Sequence, residues 1–209
     1  MQLTVIGGSG RSGRVVVEQA LGHGHEVTAV VRDPSALALT HPHLTVVRGD
    51  VRELDEMRAA IAGRSAVLCA IGARPARTVD LYSVGVAHIL QAMAEADVSR
   101  LVVLSASGTF HRTDRNLSAG YKLLMRTSLK GLYDDLERME QRVMASGVDW
   151  TIVRPAGLTD GPLTGEYRIG ADGRPLSAGG RISRADVAAF MLKAVAGGRW
   201  SRTAVTLAY

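Results

Sequence analysis

The chain has 209 residues, 46% hydrophobic, 22% charged and only 4% aromatic, with a formal charge of +5. That length suits one domain (1–209) with a core of Val, Leu, Ala and Ile, and is short for two. A lone cysteine, Cys69, excludes an internal disulfide, and no apolar run reaches the roughly 18 residues of a membrane helix.

In chain order, "QLTVI" (2–6) reads as a strand and Arg11–Leu21 as a helix, with Gly22 as its expected C-cap. Strands follow at 25–32 and 44–47, then a helix at 53–62 with Leu54, Met57, Ala60 and Ile61 at helical spacing. "AVLCAIG" (66–72) is a strand, Val79–Ala96 a long helix and "RLVVLSAS" (100–107) another strand. Leu132–Ser146 reads as a helix stopping at Gly147, and "DWTIVRP" (149–155) as a strand. A Gly- and Pro-rich loop, a short strand near 166–170, a helix at 183–196 and a strand at 203–208 complete the chain. Short apolar strands alternating with helices predict an α/β fold. The sheet is mostly parallel, doubly wound and covered by helices on both faces. In such folds ligands bind outside the carboxyl ends of the strands.

The stretch "VIGGSGRSGRVVV" (5–17) falls between the first strand and the first helix. Gly7, Gly10 and Gly13 give GxxGxxG, one residue different from the dinucleotide fingerprint. Glycines permit a tight turn and close approach of backbone to a pyrophosphate. The helix N-terminus then offers free N–H groups and a positive dipole end. Gly13 allows close packing of helix on sheet, and Arg11 and Ser12 join the loop as candidate cofactor contacts.

Together with "VVRDPSAL" after the second strand, "GDV" (49–51), "AIG" (70–72) and "TIVRP" (151–155), this loop resembles the atypical short-chain dehydrogenase/reductase superfamily, NmrA-like branch. The resemblance implies a Rossmann-type sheet and a nicotinamide cofactor. It places Asp50 and Val51 at the adenine, Ala70, Ile71 and Gly72 along the cofactor's path, and Arg154 and Pro155 at the nicotinamide end. Residues 160–195 and the helix "DDLERMEQRVMASG" (134–147) resemble the biliverdin IXβ reductase, or flavin reductase, family. Those reductases carry a histidine after a proline pair where this chain reads Pro155, Ala156, Gly157, which argues against biliverdin as the substrate.

An acid at the end of the second strand binds the ribose 2′-hydroxyl of NAD, and an arginine there suits the 2′-phosphate of NADP. Here Arg32 comes first and Asp33 second, followed by Pro34. NADP is expected over NAD, with Arg32 and Arg11 facing phosphate and Asp33 capping the next turn.

No tyrosine is followed by lysine four places on, so the superfamily's Tyr-x-x-x-Lys proton donor is missing. A ketone needs that acid; a flavin, quinone or open tetrapyrrole needs it less, because its ring delocalises incoming charge. The expected function is therefore an NADPH-dependent reductase of a planar conjugated acceptor such as FMN. A dinucleotide-binding redox sensor without turnover is the alternative, and a sugar-nucleotide epimerase is less favoured. Ser105 and Ser107, at the end of the fifth strand, and His111 beyond it are the candidate catalytic residues. Substrate-side loops are expected at 108–131, as a lid or a surface loop, and at 155–183. The "HPH" at 41–43 lacks a third ligand nearby, so no metal site is expected. The arginines are scattered, only Lys122, Lys130 and Lys193 being lysines, which argues against nucleic acid as a partner. With no secretory leader pattern and one cysteine, a cytoplasmic location is expected, and the oligomeric state stays open between monomer and dimer.

Overall fold

The computed structural model describes residues 1–72, 80–110, 129–170, 176 and 180–209. Its strands are β1 (Gln2–Ile6), β2 (Glu26–Val31), β3 (Leu44–Arg48), β4 (Ala66–Cys69), β5 (Arg100–Leu104), β6 (Asp149–Pro155), β7 (Gly157–Thr159), β8 (Arg168–Gly170), β9 (Arg181–Ser183) and β10 (Thr203–Ala208). The helices among the described residues are α1 (Arg11–Gly22), α2 (Leu54–Ile61), α3 (Leu81–Glu95), α4 (Lys130–Ala145) and α5 (Arg184–Ala196). Eight strands form one sheet in the order β3-β2-β1-β4-β5-β6-β10-β8. Every pair is parallel except β10 with β8. Strand order reverses direction between β1 and β4, which opens a crevice above their carboxyl ends.

The alternation of side chains along each strand divides the core in two. Leu3 and Val5 of β1 pack with Val16, Val17 and Ala20 of α1 and Phe190 and Met191 of α5. Ile6, Val67 and Val103 point the other way, onto Met57 of α2, Ile89 and Met93 of α3 and Met139 of α4. Central strands carry apolar residues on both sides because both faces are covered; β4 is buried throughout. No described helix is long and apolar enough to cross a membrane.

Several predicted boundaries move. The helix α1 runs on past the expected cap, and the left-handed turn falls at Gly24 (φ 75°) rather than Gly22. The helix α4 closes at Ser146 with extended backbone, so Gly147 is not a left-handed cap. β4 and β5 stop earlier than their apolar runs. Beyond them Ala70 N still donates to Ile6 O (2.9 Å) and Ser105 N to Val153 O (2.7 Å). β7 and β9 form a separate two-stranded parallel ribbon at the same end, too short to show periodicity in sequence.

Ser183 caps α5 and exchanges bonds with Asp186: Asp186 N donates to Ser183 Oγ (2.9 Å), and that hydroxyl donates to the carboxylate (2.8 Å). The same carboxylate accepts from Thr164, Gly165 and the Tyr209 hydroxyl. Burial alone would raise the Asp186 carboxyl, but the bonds from Tyr209, Gly165, Ser183 and Thr164 outweigh it and hold it at about 2. One buried charge thus fastens the 164–165 loop and the C-terminal residue to the start of α5.

Candidate nucleotide site

The glycine loop has three glycines with different jobs. Gly7 leaves β1 at φ +85°, and a Cβ there would stand 2.8 Å from the Ala70 carbonyl oxygen. Gly13 lies under the same turn, where a Cβ would collide with the Gly7 carbonyl. Gly10 is exposed: its N–H donates to Gly7 O (2.9 Å), and it caps α1 without a side chain. Among the described residues no side chain caps the first turn of α1, which leaves its N–H groups as donors beside Arg11 and Ser12.

At the end of β2, Arg32 is exposed and its side chain makes no hydrogen bond or ion pair with the described residues, while the Asp33 carboxylate accepts from Ser35 N (3.0 Å) and Ser35 Oγ (2.7 Å). The Ser35 bonds, with a smaller contribution from nearby Arg48, hold the Asp33 carboxyl below its ordinary value. The expected cap is thus present. Arg48 ends β3, in register with Val31, so two exposed arginines stand on adjacent strand ends. Asp50 caps its own turn through Arg52 N (3.0 Å). Val51 is buried against Gly85, and its carbonyl is bonded to His88 Nδ1 (2.9 Å).

Past β4, Ala70 and Ile71 are buried and Gly72 is exposed. Cys69 is fully buried, which pushes its thiol up to about 12 and leaves it no role as a nucleophile.

At the ends of β5 and β6 the structure revises two expectations. Arg154 is buried and forks onto Glu140 of α4, with Nε to Oε1 at 2.9 Å and one terminal nitrogen to Oε2 at 2.6 Å. Ser105, also buried, donates to Glu140 Oε1 at 2.5 Å. A carboxylate facing a guanidinium has no proton to give, so the serine supplies the one in that bond. Ser105 thus presents an acceptor rather than a donor to any ligand, and the Arg154 guanidinium is turned to Glu140. Pro155 is buried beside them. Ser107 opens a short 3-10 turn (Ser107–Phe110) and is half-buried. Within that turn the Tyr133 ring lies directly over Gly108, where any Cβ would strike it. Two residues on from Tyr133, the buried Asp135 caps α3 by accepting from Tyr82 N (2.8 Å) and Ser83 N (3.3 Å).

Arg11 is ion-paired to Asp160, which also accepts from Arg184 at 2.6 Å. Chiefly the bond from Arg11, with Arg184 adding to it, holds the Asp160 carboxyl low. His111 and most of the 108–131 segment lie outside the described residues, as do 171–175 and 177–179 of the second loop.

Sequence reasoning missed Glu140, Arg48, Asp160 and Arg184. Glu140 had a signal: with Tyr133, Leu136, Met139 and Val143 it falls on the buried stripe of α4, where an acid demands a partner. Asp160 had none, because its partners are far away in sequence.

Comparison with known proteins places this geometry. The chain matches the NAD(P)H-binding family over residues 7–197. It is 30% identical to the uncharacterized protein YwnB of Bacillus subtilis, covering 92% of this chain and 91% of that one. It is 32% identical to an uncharacterized chloroplast protein of Arabidopsis thaliana, covering 77% of this chain and 60% of the plant protein's length. Its fold is shared with the oxidoreductase ylbE of Lactococcus lactis, at TM-score 0.84 and 21% identity over 100% of this chain and 90% of that one. It is also shared with a short-chain dehydrogenase/reductase of Veillonella parvula in complex with NADP, at TM-score 0.78 and 17% identity over 100% of this chain and 94% of that one. With a strand–glycine loop–helix at the switch point of a parallel sheet, and a family match across most of its length, the chain belongs to the NAD(P)H-binding family and has a Rossmann-like fold.

Proposed function

We propose that the protein is an NADPH-dependent reductase that delivers hydride to a planar conjugated acceptor such as a flavin, a quinone or an open tetrapyrrole. The observation that carries this reading is the bond from Ser105 to Glu140, which removes the serine proton from use at the end of β5. Tyr133 stands nearby, but Glu137 occupies the position where a lysine would lower its pKa. A ketone needs a proton at its oxygen as hydride arrives, worth about 10²–10⁴ in rate. A conjugated ring spreads that charge and takes its proton later from water. The resemblance of residues 160–195 to the flavin reductases supports the same class of acceptor.

The residues present fit the cofactor. Gly7 and Gly13 let the turn close on itself, the exposed Gly10 leaves the first turn of α1 open to a pyrophosphate, and Arg32 and Arg48 suit a 2′-phosphate. When bound, NADPH supplies the two-electron reducing equivalent. The Asp33 carboxylate is turned onto Ser35, which leaves Arg32 and Arg48 as the two exposed cations at this corner. NADPH is therefore expected to bind at least about tenfold tighter than NADH, a difference of about 1.4 kcal/mol. Arg32→Ala should remove most of that preference; equal affinities for the two dinucleotides in the unmodified protein would defeat it.

NADPH consumption against FMN, FAD, quinones and biliverdins tests the reaction. Turnover with one of them supports the reductase. Tight binding without turnover favours a redox sensor.

A further inference from the structure

Arg11 belongs to the glycine loop, yet its guanidinium is held by Asp160, just past β7. Asp160 divides its carboxylate between two arginines, Oδ2 to Arg11 and Oδ1 to Arg184. These partners differ sharply in burial. The Arg184 side chain is 11% exposed and that of Arg11 is 71% exposed. Arg184 opens α5 directly after the Ser183 cap, and the chain beyond Asp160 is tied down through Thr164 and Gly165 on Asp186. The Asp160 carboxylate is therefore fixed on its Arg184 side. Arg11 is the partner that can leave.

A dinucleotide phosphate on the open N–H groups of α1 arrives beside Arg11, since Arg11 is the first residue of that helix. It carries a stronger claim on a guanidinium than a shared, solvent-exposed carboxylate does. We propose that Asp160 is an affinity-determining residue, whose carboxylate competes with the dinucleotide's phosphates for Arg11. The proposal rests on the dinucleotide reading of the glycine loop. Binding then requires Arg11 to exchange one anion for another, and Asp160 remains on Arg184 as a negative charge near the incoming phosphate. Ligands with little negative charge gain nothing by the exchange, so the contact screens for phosphate-bearing ligands.

The test is a double-mutant cycle read by NADPH titration at low salt, on the unmodified protein, Asp160→Asn, Arg11→Ala and the double variant. Asparagine keeps a carbonyl oxygen for Arg184, so the loop stays anchored; Asp160→Ser is the second variant should asparagine lower the melting temperature. Removing the carboxylate should tighten NADPH binding about three- to tenfold, the range open to a surface ion pair plus a nearby like charge. In the Arg11→Ala background the same change should move affinity by less than about twofold. Unchanged or weaker binding in folded Asp160→Asn overturns the proposal, as does a gain of the same size without Arg11. Absence of saturable NADPH binding in the unmodified protein overturns the dinucleotide reading itself, and the competition with it.

Discussion

Gly10→Val is expected to weaken NADPH binding by at least about a hundredfold, roughly 2.7 kcal/mol, while leaving the protein folded. Gly10 has φ −72° and ψ 159°, a conformation valine adopts readily. A Cβ there meets only the Gly7 carbonyl oxygen at 3.2 Å, a tight contact that a few tenths of an ångström relieves. The branches beyond that Cβ stand where a phosphate must approach the first turn of α1, so the loss falls on binding rather than folding. Gly13 gives the contrast, because a side chain there runs into the Gly7 backbone and damages the loop itself. Fluorescence titration with NADPH beside a thermal melt separates the two. Unchanged affinity in folded Gly10→Val would reduce the loop to a plain turn.

Glu140→Ala is expected to cost about 3–5 kcal/mol of stability, the usual loss when one partner of a buried ion pair is removed. The variant strips Arg154 of its forked carboxylate and Ser105 of its acceptor, all within a buried site. Replacing both charges with apolar side chains, as in Glu140→Met with Arg154→Leu, should recover at least half of that loss, since no guanidinium is then left beside the cavity. Urea unfolding of the single and double variants gives the comparison. A loss below about 1 kcal/mol in Glu140→Ala would mean water reaches the pair.

The parallel sheet and the glycine loop were legible in the sequence because local signals carry them. Strands β1, β2, β4, β5 and β6 are short apolar runs, and Gly7, Gly10 and Gly13 stand at a fixed place between strand and helix. Asp33 was legible too, since an acid before proline caps its own turn. The far side of the site was not. Whether Ser105 gives or accepts a proton is decided by Glu140, 35 residues away, and the direction of Arg11 by Asp160, 149 residues away. Nothing local to Ser105 or Arg11 encodes those contacts; they come from the packing of α4 and from the ribbon of β7 and β9. Element ends moved for a related reason. The apolar runs at 66–72 and 100–107 continue past the last ladder pair, because Ala70 and Ile71 still pack into the two halves of the core and Ser105 is buried against Glu140.

Hydride transfer itself is measured most directly with NADPH deuterated at C4 of the nicotinamide and FMN as acceptor. The account predicts saturable NADPH oxidation that slows with one of the two deuterated epimers, as expected where hydride leaves C4 in a rate-limiting step. Tight NADPH binding with no oxidation by FMN, FAD, quinone or biliverdin would contradict it and leave a protein that reads its dinucleotide without spending it.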